Sequence, residues 1–189
     1  MKRSVRTDPP LAWTRAQRRL HWWTASLVLL AFPLGWLMVG FPLSQLLVKF
    51  LLYQLHKSLG MLVFALAVIR LLVRARRGRP GWDDDMPAWQ RRAASAMHAL
   101  LYAVLLATPA LGYFTAATST TRIPTLFLGV IPIPHLVGPD PTWFAALRLV
   151  HRIMAILLVV LAGGHAAAAI HNHLRGRRTL MRMWQSQDV

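Results

Sequence analysis

Four long apolar stretches, residues 20–41, 51–73, 93–115 and 147–171, constrain this chain more than any other feature. Each is close to or above the roughly 20 residues a helix needs to cross about 30 Å of hydrocarbon. A helix satisfies its own backbone hydrogen bonds where no water can, so the fold class predicted is all-α, an integral membrane four-helix bundle. No internal repeat or separate soluble domain is visible, and residues 1–189 read as one transmembrane domain. The first stretch is too long for a cleavable signal peptide, has no small-residue cleavage pattern, and carries His21, Trp22 and Trp23 at its entrance.

Charge fits this division. A chain that is 56% hydrophobic yet carries a formal net charge of +16 can hold both properties only if they occupy different places. The 22 Lys and Arg do sit mainly between the apolar stretches, whereas a soluble basic protein would interleave them, so nucleic-acid binding is a poor explanation of the charge. Lys2, Arg3, Arg6, Arg15, Arg18 and Arg19 precede the first span, Arg70, Arg74, Arg76, Arg77, Arg79, Arg91 and Arg92 flank the second connection, and Arg175, Arg177, Arg178 and Arg182 follow the fourth span. Only Lys49, Lys57, Arg122, Arg148 and Arg152 fall on the other side. The positive-inside rule therefore predicts both termini in the cytoplasm. Trp13, Trp22, Trp23, Trp82, Trp89 and Trp143 lie at or near span ends, as aromatic belts do. The absence of Cys removes disulfides, iron–sulfur clusters, thiolate catalysis and covalent haem attachment, so any redox chemistry needs a non-covalently held cofactor.

The longest connection, residues 116–146, contains Pro124, Pro132, Pro134, Pro139 and Pro141, which argues against a regular helix. It is expected to cover the bundle on the outer face. Asp83, Asp84 and Asp85 read as part of a short cytoplasmic turn without a functional role.

Histidine is costly inside a membrane, and His21, His56, His98, His151 and His165 lie within or at the ends of the spans. His151 and His165 are 14 residues apart in the fourth span. That spacing leaves them within roughly 40° on one helix face and about 21 Å apart along the axis, which suits two haems at different depths. Each iron then needs a second imidazole at its own level. His56, near the start of the second span, matches His151 on the outer side, where the only other histidine is His135 in the Pro-rich loop. On the cytoplasmic side His165 pairs with His21 or His98, and spacing does not decide between them. Zinc fits less well, because the candidates fall into two layers.

Arg70 follows His56 by 14 residues and should face the bundle at the cytoplasmic level, where a haem propionate needs a cation; a topological flank is the plain alternative. Lys57 and Arg152 directly follow the two outer histidines. They are the candidate catalytic cations, able to draw an anion inward or to pair propionates, unless they merely snorkel to the surface. Gly35, Gly60, Gly112, Gly163 and Gly164 either admit a flat macrocycle between helices or let helices approach closely.

Five segments carry a family resemblance: Arg18-Arg19-Leu20-His21-Trp22; His56-Lys57-Ser58-Leu59-Gly60 with Ile69-Arg70-Leu71; His98 to Tyr102 with Pro109 and Gly112; Leu149-Val150-His151 with Gly164-His165-Ala166-Ala167-Ala168; and Leu180-Met181-Arg182-Met183. Together they resemble the bacterial cytochrome b561 family, in order on all four spans and from about Arg15 to Trp184. The resemblance implies two haem b groups, one held by His21 and His165 and the other by His56 and His151; His98, at the start of the third span on the cytoplasmic side, is then expected to support the first by a hydrogen bond to a propionate or a quinone. It also implies an oxidoreductase passing electrons from superoxide at the outer face to ubiquinone. Where adjacent histidines are common in the family after His165, this chain has His171-Asn172-His173, which weakens a quinone assignment there. The second reading is an electron-transfer cytochrome subunit exchanging electrons between quinol and a partner protein. A third is a non-redox transporter with histidine proton relays.

Overall fold

A computed structural model describes residues 13–82 and 86–184; Lys2, Arg3, Arg6 and the Asp83–Asp85 turn lie outside the described residues. Four long helices form the body: α1 (Arg15–Gly40), α2 (Leu46–Arg77), α3 (Ala88–Ala117) and α4 (Pro141–Leu174). All four are long and apolar enough to cross a membrane; the last three apolar stretches lie inside α2, α3 and α4, and the first runs to the end of α1, with Phe41 as its cap. A short α5 (Met181–Trp184) follows.

The helix ends are set by local chemistry. Thr14 and Gln17 form a reciprocal capping box at the start of α1, with Gln17 N donating to Thr14 Oγ1 at 3.3 Å and Thr14 N donating to Gln17 Oε1 at 3.1 Å. At the start of α4, Asp140 Oδ1 accepts from Thr142 N and Trp143 N, both at 2.9 Å, and Pro141 occupies the first turn, where its missing N–H costs nothing. Helix α2 stops at Gly78, whose φ of +71° suits a residue without Cβ.

The surface is inverted relative to a water-soluble bundle. Leu29 and Val160 are 69% and 64% exposed in mid-helix, positions that face lipid in an integral membrane protein. Trp23 and Trp89 near one end and Trp143 at the other are also exposed. The buried core is small: Val63 and Ala67 of α2, Val104 and Leu105 of α3, and Leu158 of α4. Leu158 lies midway in sequence between His151 and His165, so this apolar layer separates the levels of those two residues.

Helix α1 packs on α2, α2 on α3 and α3 on α4, whereas the α1/α4 and α2/α4 pairs share only sparse backbone contacts. At one end of the bundle the two terminal segments meet: Trp22 Nε1 donates to Met183 O at 3.1 Å, Arg18 donates to Trp184 O at 3.3 Å, and the Trp22 and Trp184 rings pack edge to face. This is the terminal end. The other is the hairpin end.

There the Pro-rich connection folds into an antiparallel hairpin, β1 (Thr125–Phe127) with β2 (Ile131–Ile133), closed by a turn in which Leu128 and Gly129 both have positive φ (53° and 77°). Two buried side chains of α2 hold it down. Gln54 Nε2 donates to Pro124 O and Gln54 Oε1 accepts from Leu126 N, each at 2.9 Å, while Ser58 Oγ accepts from Leu128 N at 2.9 Å. Tyr113 of α3 ties the segment that follows β2, donating to Pro134 O at 2.7 Å and accepting from Leu136 N at 2.9 Å. Residues 118–140 of the connection are thus non-helical, as the prolines there predict, while residues 116–117 and 141–146 belong to α3 and α4, with Pro141 in the first turn of α4; the hairpin was not expected from the sequence.

Candidate cofactor sites

The hairpin-end site is built from α2 and α4. His56 and His151 face each other with ring centroids 6.3 Å apart and planes at 85°. Two imidazole nitrogens at about 2 Å from one iron put the ring centroids about 6 Å apart, so this pair has the required span. Both rings are oriented alike. His56 Nδ1 donates to the Ala31 carbonyl at 3.0 Å, and His151 Nδ1 donates to the Thr108 carbonyl at 2.9 Å. A carbonyl can only accept, so Nδ1 carries the proton in each ring and Nε2 keeps its lone pair for a ligand bond.

A glycine sits one turn beyond each carbonyl. A Cβ on Gly35 would lie 3.0 Å from His56 Cε1, and one on Gly112 would lie 2.9 Å from His151 Cε1. These glycines therefore seat the imidazoles themselves, a use distinct from both macrocycle admission and simple helix approach. Gly60 and Gly164 meet only Pro109 Cβ and Met97 Cε, at 4.0 Å, and nothing lies within 4 Å of a Cβ on Gly163.

The terminal-end site brings together α1, α2, α3 and α4. His21 and His165 have ring centroids 6.3 Å apart, the same span as the hairpin-end pair, whereas His98 and His165 are 5.3 Å apart. The spacing that the sequence left open thus favours His21 over His98 as the partner across an iron. Arg70 does face the bundle at this level, but its contact is a ring: Nη2 donates to His21 Nδ1 at 3.1 Å. Its guanidinium and that of Arg74 also lie over Tyr102, at 5.4 and 5.7 Å from the ring centroid. Asp140, the cap of α4, is the sole carboxylate among the described residues, so neither arginine has a carboxylate partner there. Partly buried cations without acidic partners are complementary to haem propionates.

Both pairs bridge α4 to a helix it barely touches, so the thin contacts and the imidazole pairs coincide. Among the described residues no group of three or more His, Cys, Asp or Glu could hold a metal ion.

The two cations that follow the hairpin-end histidines diverge. Lys57 is partly buried under the hairpin, its Nζ donating to Pro124 O at 3.4 Å, whereas Arg152 is exposed with its guanidinium 4.7 Å from the Trp36 ring centroid on α1. His135, in the connection, accepts from or donates to Thr125 Oγ1 at 3.0 Å. Burial, with the Lys57 ammonium nearby, holds the His135 imidazole below its ordinary pKa. The signals for Gln54 and Ser58 as site-shaping residues are weak in sequence, whereas Gly35 and Gly112 stand out there as glycines within apolar spans but not as seats for imidazoles.

Paired, partly buried imidazoles between apolar helices, with Nδ1 anchored and Nε2 free at the hairpin end, define the class of membrane-embedded b-type cytochromes. The model of the prokaryotic cytochrome b561 family matches residues 12–186, and the chain belongs to that family. It is 31% identical over 176 residues to cytochrome b561 homolog 1 of Escherichia coli (strain K12), covering 90% of this chain and 96% of that protein. It is 28% identical over 178 residues to cytochrome b561 homolog 2 of the same organism, covering 94% and 93%. It is accordingly a membrane electron-transfer protein of a haem b family, and the non-redox transporter reading is set aside.

Proposed function

We propose that this chain is a two-haem oxidoreductase that carries electrons from superoxide outside the bacterial inner membrane to ubiquinone. The observation that carries the two-haem reading is the pair of imidazole couples with one common 6.3 Å span, on either side of the apolar layer around Leu158. His56 and His151 would hold one haem b and His21 and His165 the other, each haem supplying reversible one-electron exchange. Arg74 would meet a propionate at the terminal end, where Arg70 is engaged by His21, and His98 would support that site by a hydrogen bond to a propionate or to the quinone. Both termini are assigned to the cytoplasm on the distribution of Lys and Arg, which makes the hairpin end the outer one.

Two superoxide ions oxidised to dioxygen release two electrons, and these with two protons reduce one ubiquinone to ubiquinol. Superoxide is an anion, and Lys57 and Arg152 each follow an outer histidine in sequence. Cations beside a partly dry cleft raise the local anion concentration, by a factor that falls as salt screens it. The test is turnover of purified protein with superoxide and ubiquinone, without any added protein. The account predicts ubiquinol formation, and it predicts that neutralising Lys57 and Arg152 together, with haem content retained, slows haem reduction by superoxide and flattens its salt dependence, while reduction by a neutral quinol is unchanged. No turnover would shift the assignment to the second reading, a cytochrome exchanging electrons between quinol and a partner protein. Full haem content with an unaltered rate and salt dependence would exclude guidance by these two cations.

A further inference from the structure

The two sites differ in readiness. At the hairpin end both rings already present Nε2, because each Nδ1–H is spent on a backbone carbonyl and each ring rests on a glycine. At the terminal end His21 receives a hydrogen bond at Nδ1 from Arg70. A guanidinium has donors only, so Nδ1 of His21 must be the acceptor and the proton of the neutral ring lies on Nε2. That is the tautomer opposite to the one at the hairpin end, and it blocks ligation through Nε2. His165, the other ring of the pair, makes no hydrogen bond to a carbonyl among the described residues, and His98 packs edge-on against it. Haem binding at the hairpin end therefore keeps every hydrogen bond of its ligands, while binding at the terminal end must first break the Arg70–His21 contact and move a proton from Nε2 to Nδ1.

We propose that the two sites bind haem unequally, with Arg70 acting as a latch on His21, so that the terminal-end site fills last and empties first. The proposal rests on the two-haem reading, which the haem content at saturation tests separately. Preorganisation lowers the cost of binding, and a hydrogen bond from a charged donor of ordinary strength is enough to separate the two affinities by about tenfold.

The experiment starts from the fully loaded protein in detergent, equilibrated with increasing amounts of apomyoglobin as a haem acceptor. The spectra of His165→Ala and His151→Ala supply the references for a haem left at the hairpin end and at the terminal end respectively. At half loading the remaining haem is expected to match the His165→Ala reference, with the two release midpoints about tenfold apart in apomyoglobin. A remainder that matches His151→Ala, or an even mixture, would overturn the order. Arg70→Met removes the donor, and the gap between midpoints should then narrow toward equality. A gap that is unchanged or wider in Arg70→Met would overturn the latch, assigning the order to the glycine seats and carbonyls or making Arg70 a holder of the bound group. If the saturated protein contains one haem per chain, the two-haem reading fails instead, and the order has no meaning.

Discussion

His151→Ala is expected to lower the haem content by about half and to delete one low-spin component of the reduced spectrum, leaving the other unchanged. His165→Ala should delete the complementary component. The basis is that the two histidines share one helix face but belong to different pairs, His151 with His56 and His165 with His21, separated by about 21 Å of helix and by the Leu158 layer. An axial histidine has no substitute at its own level on the hairpin side, since His135 bonds to Thr125 in the connection. The terminal side has a third histidine, His98, but its 5.3 Å distance to His165 is shorter than the span an iron between two imidazoles needs. His98→Ala should therefore keep both components. Loss of the same component from both the His151 and His165 variants would refute the two-level arrangement, and loss of the terminal-end component from His98→Ala, with its retention in His21→Ala, would reverse the assignment of that ligand.

A single methyl group should have nearly as large an effect at the hairpin end. In Gly112→Ala the new Cβ would stand 2.9 Å from His151 Cε1, closer than real Cβ contacts come, and the ring cannot swing away without breaking its hydrogen bond to Thr108 O. Overpacking of this kind costs about 1–3 kcal/mol, and disturbing the groups that orient a ligand weakens metal affinity by roughly 10–100-fold. Gly112→Ala should therefore release the hairpin-end haem preferentially on dilution or exposure to a haem acceptor, and Gly35→Ala, at 3.0 Å from His56 Cε1, should do the same more mildly. Gly163→Ala is the control, because nothing lies within 4 Å of its Cβ position, and it should retain both haems. Equal haem retention in Gly112→Ala and Gly163→Ala would show that the glycine seat contributes nothing to ligand placement.

The parts of this protein that can be read from sequence are those governed by period and length. Twenty or more apolar residues admit little but a spanning helix, and the 14-residue interval from His151 to His165 carries its own geometry because an α-helix has fixed rise and twist. The choice between His21 and His98 depends on how α1 and α3 are rotated against α4, a packing relation that no spacing within one helix contains. The hairpin was hidden for a different reason. Its loop is the three residues Leu128-Gly129-Val130, and a leucine at positive φ is not the Asn-Gly or Asp-Gly signal that marks the commonest hairpin turns. Its anchors, Gln54 and Ser58, are polar residues one turn apart in α2 whose partners lie some 70 residues away in sequence. Gly35 and Gly112 were legible as small residues within the spans, but their use as imidazole seats shows only once the carbonyls of Ala31 and Thr108 are seen to receive the rings. Arg70 was legible as a bundle-facing cation, but its contact with His21 is tertiary.

The pyridine haemochrome of purified protein, set against chain concentration from amino-acid analysis, tests the central claim most directly. Four imidazoles in two pairs of equal 6.3 Å span predict two haems b per chain, both six-coordinate and low-spin. One haem per chain at saturation, or a five-coordinate high-spin form at full loading, would contradict it.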